Sequence, residues 1–413
     1  MGLPTHLSQS DVANFGRELD DIRNGVMESR GEKDRAYILG IIRAQRLLAV
    51  SGRLVILGSL ALVPGLGGAH AGWLQSGLVL ALGAALLGLA KIVENMEIGH
   101  NVMHAQWDWM RDPNIQASTW EWDNVCPSDQ WKHSHNVVHH TWTNVIGKDP
   151  DVGYGVLRVS EAQPWEPRHL TQPFGNFLLM LLFEWGVAVH DLEPEKLMRG
   201  DKKLSDHKPM LRRIALKAAR QLLKDMVLWP ALSAGAAWLI ASALHVSGSY
   251  SMLVAFAWTA LGNTVANLIR NVWSNVIIFC GHFPAGVHHF SVAEVEGETR
   301  GAWYVRQLLG SCNIGGGELF HILSGNLSHQ IEHHLFPDMP SNRYPEVAPR
   351  VRALAARYDL PYNTGSLFRQ FGTTTWRIWR LSLPGGSFRA LPTGPGISTA
   401  GTSVPAHRAS GPR

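Results

Sequence analysis

Residues 73–104 read WLQSGLVLALGAALLGLAKIVENMEIGHNVMH. The run from Trp73 to about Val93 is apolar and close to the roughly 20 residues that carry a helix across a hydrocarbon core. Just beyond it stand His100 and His104, four residues apart. On a helix, side chains at that spacing lie one above the other on the same face, so both rings can grip one metal ion. An apolar span that ends in a histidine pair sets the reading of everything around it. The fold it predicts is all-α, a membrane bundle with metal ligands gathered beyond one end of the spans.

Three further stretches complete the bundle. The first, about 47–64, is interrupted by Arg53 and closed by Pro64; the others run from about 226 to 246 and from 251 to 280. A weaker piece, 174–189, contains Glu184 and reads as interfacial or packed against the bundle. The turns at 65–72 and 247–250 carry no Lys or Arg, whereas 94–225 holds Arg111, Lys132, Lys148, Lys202, Lys203, Arg212, Arg213, Lys217 and Arg220. The positive-inside rule then places both termini and the central section in the cytoplasm, with two tight hairpins dipping through the cell membrane. The expected organisation is a cytosolic N-terminal helical segment over 1–46 and a membrane domain over 47–383. The cytosolic helical cap of that domain is drawn from 94–225 and 281–383, and a disordered Pro/Gly/Ser/Thr tail follows over 384–413. Val12, Phe15, Leu19, Ile22 and Val26 recur at helical spacing within 8–35, and residues 1–30 lack the apolar core of a secretory signal.

Composition agrees. Of 413 residues, 46% are hydrophobic and 17% charged, against about 25% charged in average soluble proteins. This excludes a disordered chain, a coiled coil and a collagen-like repeat, and speaks against a wholly soluble protein. Cys126, Cys280 and Cys312 are too far apart for a disulfide framework or a Cys-x-x-Cys motif. The net charge of +4 reads as cytoplasmic-face bias, with no nucleic-acid partner. Histidine is abundant at 20 residues and tryptophan at 16, the latter suited to the membrane–water interface.

Eight histidines fall in three clusters: His100 and His104; His135, His139 and His140, with His133 just ahead; and His329, His333 and His334. Imidazole suits iron, zinc, copper or nickel. Neutral ligands call for nearby acids to orient their ring N–H groups, and Glu97, Asp108, Glu121, Asp123, Glu318 and Glu332 are available. A lone His-x-x-x-His is commonly a polar surface pair. Three clusters, two of them sharing the His-x-x-x-His-His pattern, point to a shared metal site. His282, in Cys-Gly-His-Phe-Pro, is either a further ligand or an interfacial histidine. Asn263, Asn267, Asn271 and Asn275 form a polar stripe beside Arg270; the first two read as helix–helix glue and Asn275 as facing the site. Two rivals are weaker. Glu97-x-x-His100 and Glu318-x-x-His321 match the element of soluble ferritin-like bundles but leave the His-His pairs unused. A metal transporter would place its ligands near the bilayer midplane instead.

With these neighbours the three boxes resemble the integral-membrane fatty acid desaturase family. They are His100-Asn-Val-Met-His104, His135-Asn-Val-Val-His139-His140-Thr-Trp-Thr-Asn, and His329-Gln-Ile-Glu-His333-His334-Leu-Phe-Pro. The resemblance spans about residues 15–385, and the text around box one and Ser341-Asn-Arg-Tyr344 is similar to the mycobacterial-type stearoyl-CoA Δ9 branch. It implies a four-span enzyme whose cap holds two iron ions. Such an enzyme uses O2 and two electrons to place a cis double bond, of Δ9 type, in an acyl-CoA or acyl-lipid chain. Ligand roles carry over onto His100, His104, His135, His139, His140, His333 and His334. In box three either His329 is a ligand or Gln330 occupies that place. The chain lacks the His-Pro-Gly-Gly haem signature and any iron–sulfur cysteine set. Electrons are therefore expected from NADPH through a separate flavin and iron–sulfur reductase. A lipid or alkane hydroxylase on the same scaffold is the alternative.

Overall fold

The computed structural model describes residues 6–64, 66, 72–190, 192, 197, 200, 203–245 and 250–387. Most of the expected tail, 388–413, and parts of both hairpin turns lie outside these residues. Helix α1 (Gln9–Glu28) begins at a reciprocal cap: Asp11 N–H donates to Ser8 Oγ at 3.1 Å and Ser8 N–H to Asp11 Oδ2 at 2.9 Å. Its apolar stripe, Phe15, Leu19, Ile22 and Val26, is buried in the core of the cap.

Among the described residues, four helical runs are long and apolar enough to cross a membrane: Glu32–Leu62, Trp73–Met103, Leu204–Ala243 and Met252–His282. The protein is an all-α, multi-pass membrane protein. Each run outlasts its apolar stretch, because apolar length sets how much helix the bilayer covers and not where backbone hydrogen bonding stops. Helix α2 (Glu32–Ser59) starts well ahead of residue 47 and carries Tyr37 into the cap. Helix α3 (Trp73–Val93) matches the expected span and continues through a π-helical turn, Glu94–His100. The next pair, α4 (Gln172–Leu181) and α5 (Phe183–His190), is bent by 104° at its junction. Then come α6 (Lys208–Leu222), a π-helical stretch Leu223–Leu228, and α7 (Trp229–Ala243). Helix α8 (Met252–His282) closes the bundle. Leu47, Leu54, Leu78, Leu82, Leu239 and Leu253 are exposed on its outside, as lipid contact requires.

With no water to drive helices together, close backbone approach matters. Gly52 and Gly83 supply it between α2 and α3: a Cβ on Gly52 would sit 2.7 Å from the Leu87 nitrogen, and one on Gly83 2.8 Å from the Ile56 nitrogen. Arg53 stacks its guanidinium 3.7 Å above the Trp229 ring. The asparagine stripe bonds across helices, with Asn263 Nδ2 donating to the Asp225 carbonyl at 2.6 Å and Asn267 Nδ2 to its carboxylate at 3.3 Å. Asp225 in turn accepts from Lys91 Nζ at 2.8 Å.

Past α8 lie α9 (Arg300–Leu309), α10 (Gln330–Leu335), α11 (Tyr344–Arg357) and α12 (Leu367–Ser382). A two-stranded parallel sheet joins β1 (Asn313–Gly315) to β2 (Thr364–Ser366), with Asn313 opposite Thr364. Overpacking the α2–α3 contact tests this arrangement. Gly83→Leu is expected to cost about 1–3 kcal/mol, lowering the thermal midpoint in detergent, whereas Gly77→Ala, with open space around it, is expected to leave that midpoint in place.

Candidate metal centre

Two of the three histidine boxes sit on π-helical turns. Box one starts at the last residue of the turn Glu94–His100 and runs on through an α-helical turn, Asn101–Met103, and box two occupies Lys132–His139 before a short α-helical turn, His140–Trp142. The wider π-turn rotates successive side chains away from the α-helical register. Box three follows a left-handed residue, Asn326 (φ 55°), and a 3-10 turn Leu327–His329, and only then enters α10.

The result is convergence. Donor atoms of His100, His104, His135 and His333 lie within 4.8 Å of one another, as do those of His139, His282 and His334. His140 groups with His333 and His334 and so stands between the two sets. Ring centroids confirm the contact across boxes: 4.9 Å for His100–His333, 5.2 Å for His104–His135 and 4.8 Å for His282–His334. His135 and His139 fall in the four- and three-histidine sets respectively, and on their π-turn they also stay together, stacked at 5.1 Å and grouped with Asp151.

His329 is not brought in. It caps α10 with ψ 54°, off the helical face that His333 occupies, and its ring lies against His321 at 4.5 Å. The side-chain amide of Gln330 instead lies 3.0 Å from His282 Nε2, fitted against Gly281, where a Cβ would come within 2.9 Å of it.

Local hydrogen bonds fix the tautomers. Asn101 spends its amide N–H groups on the Glu97 and Gly325 carbonyls, so its Oδ1 accepts from His100 Nδ1–H at 3.0 Å. Tyr344 gives its proton to the Phe336 carbonyl, and its oxygen accepts from His333 Nδ1–H at 3.3 Å. Gln307 donates to the His140 carbonyl and accepts from His334 Nδ1–H at 3.1 Å. His139 Nδ1–H donates to the Asp149 carboxylate at 3.0 Å. In each ring Nε2 is left with its lone pair, which is how second partners prepare a metal-ligating histidine.

Burial reinforces this. It holds His104, His140, His333 and His334 well below the usual imidazole range, with neighbouring rings adding to the effect. Burial also outweighs the Asp151 contact at His135, which falls to about 4. His139 is the exception: burial pushes it down, but Asp149 and Asp151 together outweigh that and hold it up to about 9. Neutral imidazole is the form that binds metal.

The donor set fits a metal site. His104, His135, His139 and His333 keep Nε2 buried without a hydrogen-bond partner, His140 keeps both ring nitrogens so, and His282 its Nδ1. Glu97 and Glu332, expected beside the ring N–H groups, are committed elsewhere. Glu97 accepts from Tyr37, Asn326 and Ser341, and Glu332 from Asn313 and Tyr362. The carboxylates that face the rings are Asp149 and Asp151. Their trace in the sequence is Lys148-Asp149-Pro150-Asp151, eight residues past the end of box two. His190 was missed as well; its Nε2 lies 2.6 Å from Asp151.

A narrow cavity of about 60 Å³ opens onto the cluster. It is lined by His100, His135, His139 and His282, by Met96, Trp131, Tyr154, Phe183 and Ile278, and by Asn95, Glu184 and Arg270. The weakly apolar piece around 174–189 therefore contributes a cavity wall through α5.

The model of the fatty acid desaturase family matches residues 71–366. The chain is 48% identical over 379 residues to the NADPH-dependent stearoyl-CoA 9-desaturase of Mycobacterium tuberculosis, covering 92% of this chain and 82% of that protein. More distant similarity reaches the sn-1 linoleoyl-lipid 6-desaturase of Synechocystis, 23% over 305 residues, with 72% of this chain and 79% of the relative covered. The acyl-lipid (7-3)-desaturase of Rebecca salina is 26% identical over 225 residues, 54% of this chain and 46% of the relative. The chain belongs to the fatty acid desaturase family. Within it, the likeness to the mycobacterial stearoyl-CoA 9-desaturase extends over nearly the whole chain.

Metal titration of the purified protein separates the two kinds of histidine. Asp149→Asn, which weakens the acceptor for His139, is expected to lower metal affinity by about 10–100-fold. His329→Ala is expected to leave affinity unchanged.

Proposed function

We propose that this protein places a cis double bond at the ninth carbon of a CoA-linked acyl chain, using O2 and two electrons delivered from NADPH by a separate flavin and iron–sulfur reductase. The broader activity is established by family and likeness: the protein is a membrane oxidoreductase that desaturates fatty acyl chains. The carrying observation is a double set of clustered imidazoles opening onto a largely apolar cavity inside a membrane bundle.

His100, His104, His135 and His333 would hold one iron, and His139, His282 and His334 the other, with His140 between them and Gln330 in place of His329. Bound iron supplies the redox chemistry by which O2 is reduced while two hydrogens leave the chain. O2, the two electrons, two protons and the two hydrogens taken from the chain together make two molecules of water. The protein's own residues do the rest. Trp131, Tyr154 and Phe183 enclose the chain and keep water away. Asp149 and Tyr344 keep the Nδ1 protons of His139 and His333 in place, so that both rings present Nε2 to the ions. Holding one pair of methylenes beside the cluster is what selects the bond.

The metal centre and both termini are assigned to the cytoplasmic side. The assignment rests on the uncharged hairpins and on the Lys and Arg of the central section. The cap is then drawn from 94–225 and 281–383, with α1 and the start of α2 packed into it.

Expression in a desaturase-deficient host, with mapping of the new double bond by mass spectrometry, tests the reading. Loss of two hydrogens at carbon nine is the expected product, and gain of an oxygen atom would instead identify a hydroxylase. His139→Ala and His333→Ala are expected to abolish product and lower bound iron while the protein remains in the membrane fraction. Full activity in either variant overturns the ligand assignment.

A further inference from the structure

We infer that the buried Arg270–Glu184 ion pair closes the acyl cavity and sets the longest chain this enzyme accepts. The inference rests on the desaturase reading and adds a determinant of substrate length to it.

The cavity follows one face of α8, where Arg270, Asn271, Ser274, Ile278 and His282 line it in succession. Twelve residues, from 270 to 282, at about 1.5 Å rise each put its two ends about 18 Å apart along the helix. The ends differ in access. Beside the metal cluster, the side chains of His135 and Asp151 keep 15% exposure. At the other end the Arg270 side chain is 2% exposed, and Asn95, Asn124 and Asn271 are buried around it. The Arg270 end is therefore the blind one.

That end is also held rigidly. Arg270 pairs with Glu184 at 2.5 Å, donates through Nη1 to the Asp123 carbonyl at 3.2 Å, and through Nε to Asn271 Oδ1 at 3.0 Å. Asn271 donates on to the Leu181 carbonyl at 2.9 Å, and Asn124 to Asn95 at 2.9 Å. Helices α3, α4, α5 and α8 and the Asp123 loop all meet here. Simple helix–helix glue is found elsewhere on α8, where Asn263 and Asn267 bond to Asp225 and do not line the cavity. An apolar wall yields to an extra methylene by shifting side chains. A buried ion pair does not, because a chain pushing past it would separate two charges that have no water to turn to. The pair therefore acts as a fixed stop for the methyl end of the chain.

Acyl-CoA substrates differing by two carbons, assayed in competition with the iron-loaded enzyme, test this. The double variant Arg270→Met/Glu184→Met removes both charges together, since either single change would strand the other. Relative to the preferred chain, kcat/KM for one two carbons longer is expected to rise by about tenfold or more, the scale on which pockets discriminate methylenes. Ser274→Leu fills the cavity one turn nearer the metal and is expected to shift preference toward shorter chains by a similar factor. It serves also where the double variant does not accumulate. An unaltered chain-length profile in an iron-loaded Ser274→Leu enzyme, or in the double variant, overturns the inference. A wild-type enzyme that desaturates no acyl chain overturns the reading beneath it instead.

Discussion

Crowding imidazoles in a dry interior is costly unless something accepts their lone pairs. Seven ring nitrogens of His104, His135, His139, His140, His282 and His333 are buried without a partner. At about 1–3 kcal/mol for each unsatisfied group the sum is about 7–20 kcal/mol, as large as the whole net stability of an ordinary domain, about 5–15 kcal/mol. A cation at the centre turns that cost into binding energy. Metal binding and the final packing of the cap are thus one event, because the residues that pay the desolvation are the same ones that hold the ion.

What keeps the rings crowded is a set of buried acids that never reach the metal. Glu97, deep in the π-turn of box one, ties Tyr37 of α2 to Asn326 before box three and to Ser341 after it. Glu332, between the box-three histidines, is fastened to Asn313 of β1 and to Tyr362. Arg306 reaches from α9 to the Thr141 and Thr143 carbonyls, just past box two, while paired with Glu298 at 2.7 Å. Each box is thereby clamped to an element distant in sequence. Charged groups serve here because their hydrogen bonds are stronger and more directional than apolar contacts.

Apolar length and histidine spacing made the bundle and the convergence legible, since both depend on local chemistry repeated along the chain. The register of the boxes was not legible. An i, i+4 pair implies a shared face only on an α-helix, and the 3-10 turn at Leu327–His329 breaks that premise for box three, whereas His135 and His139 stay in contact at 5.1 Å on their π-turn. His329 and Gln330, the two alternatives box three offers, part company there: the His329 ring turns to His321, and the Gln330 amide lies beside His282. The carboxylates failed for a second reason. Six acids near the boxes in sequence competed for one role, and folding gave it to Asp149 and Asp151, whose place depends on a turn after box two. His282 was legible by position: it stands just past the fourth apolar stretch, and the length of α8 delivers it to His139 and His334.

Helices that overrun the bilayer also explain why cavity and metal share an address. Helix α8 and the π-turn that extends α3 both leave the apolar zone and both end in cluster histidines, so the space between them opens at the cluster and points back toward the membrane. Polar side chains within that space must then be satisfied by protein. Lys91, Asp225 and Asp123 form one such knot, and Arg270 with Glu184 another. A knot of charges at this depth fixes the angle between helices more firmly than apolar packing does, because any rotation that loosens it strands a charge in a medium of low dielectric constant. The distance from cluster to blind end is consequently a property of the backbone of α8, and it stays constant only while those helices keep their relative tilt.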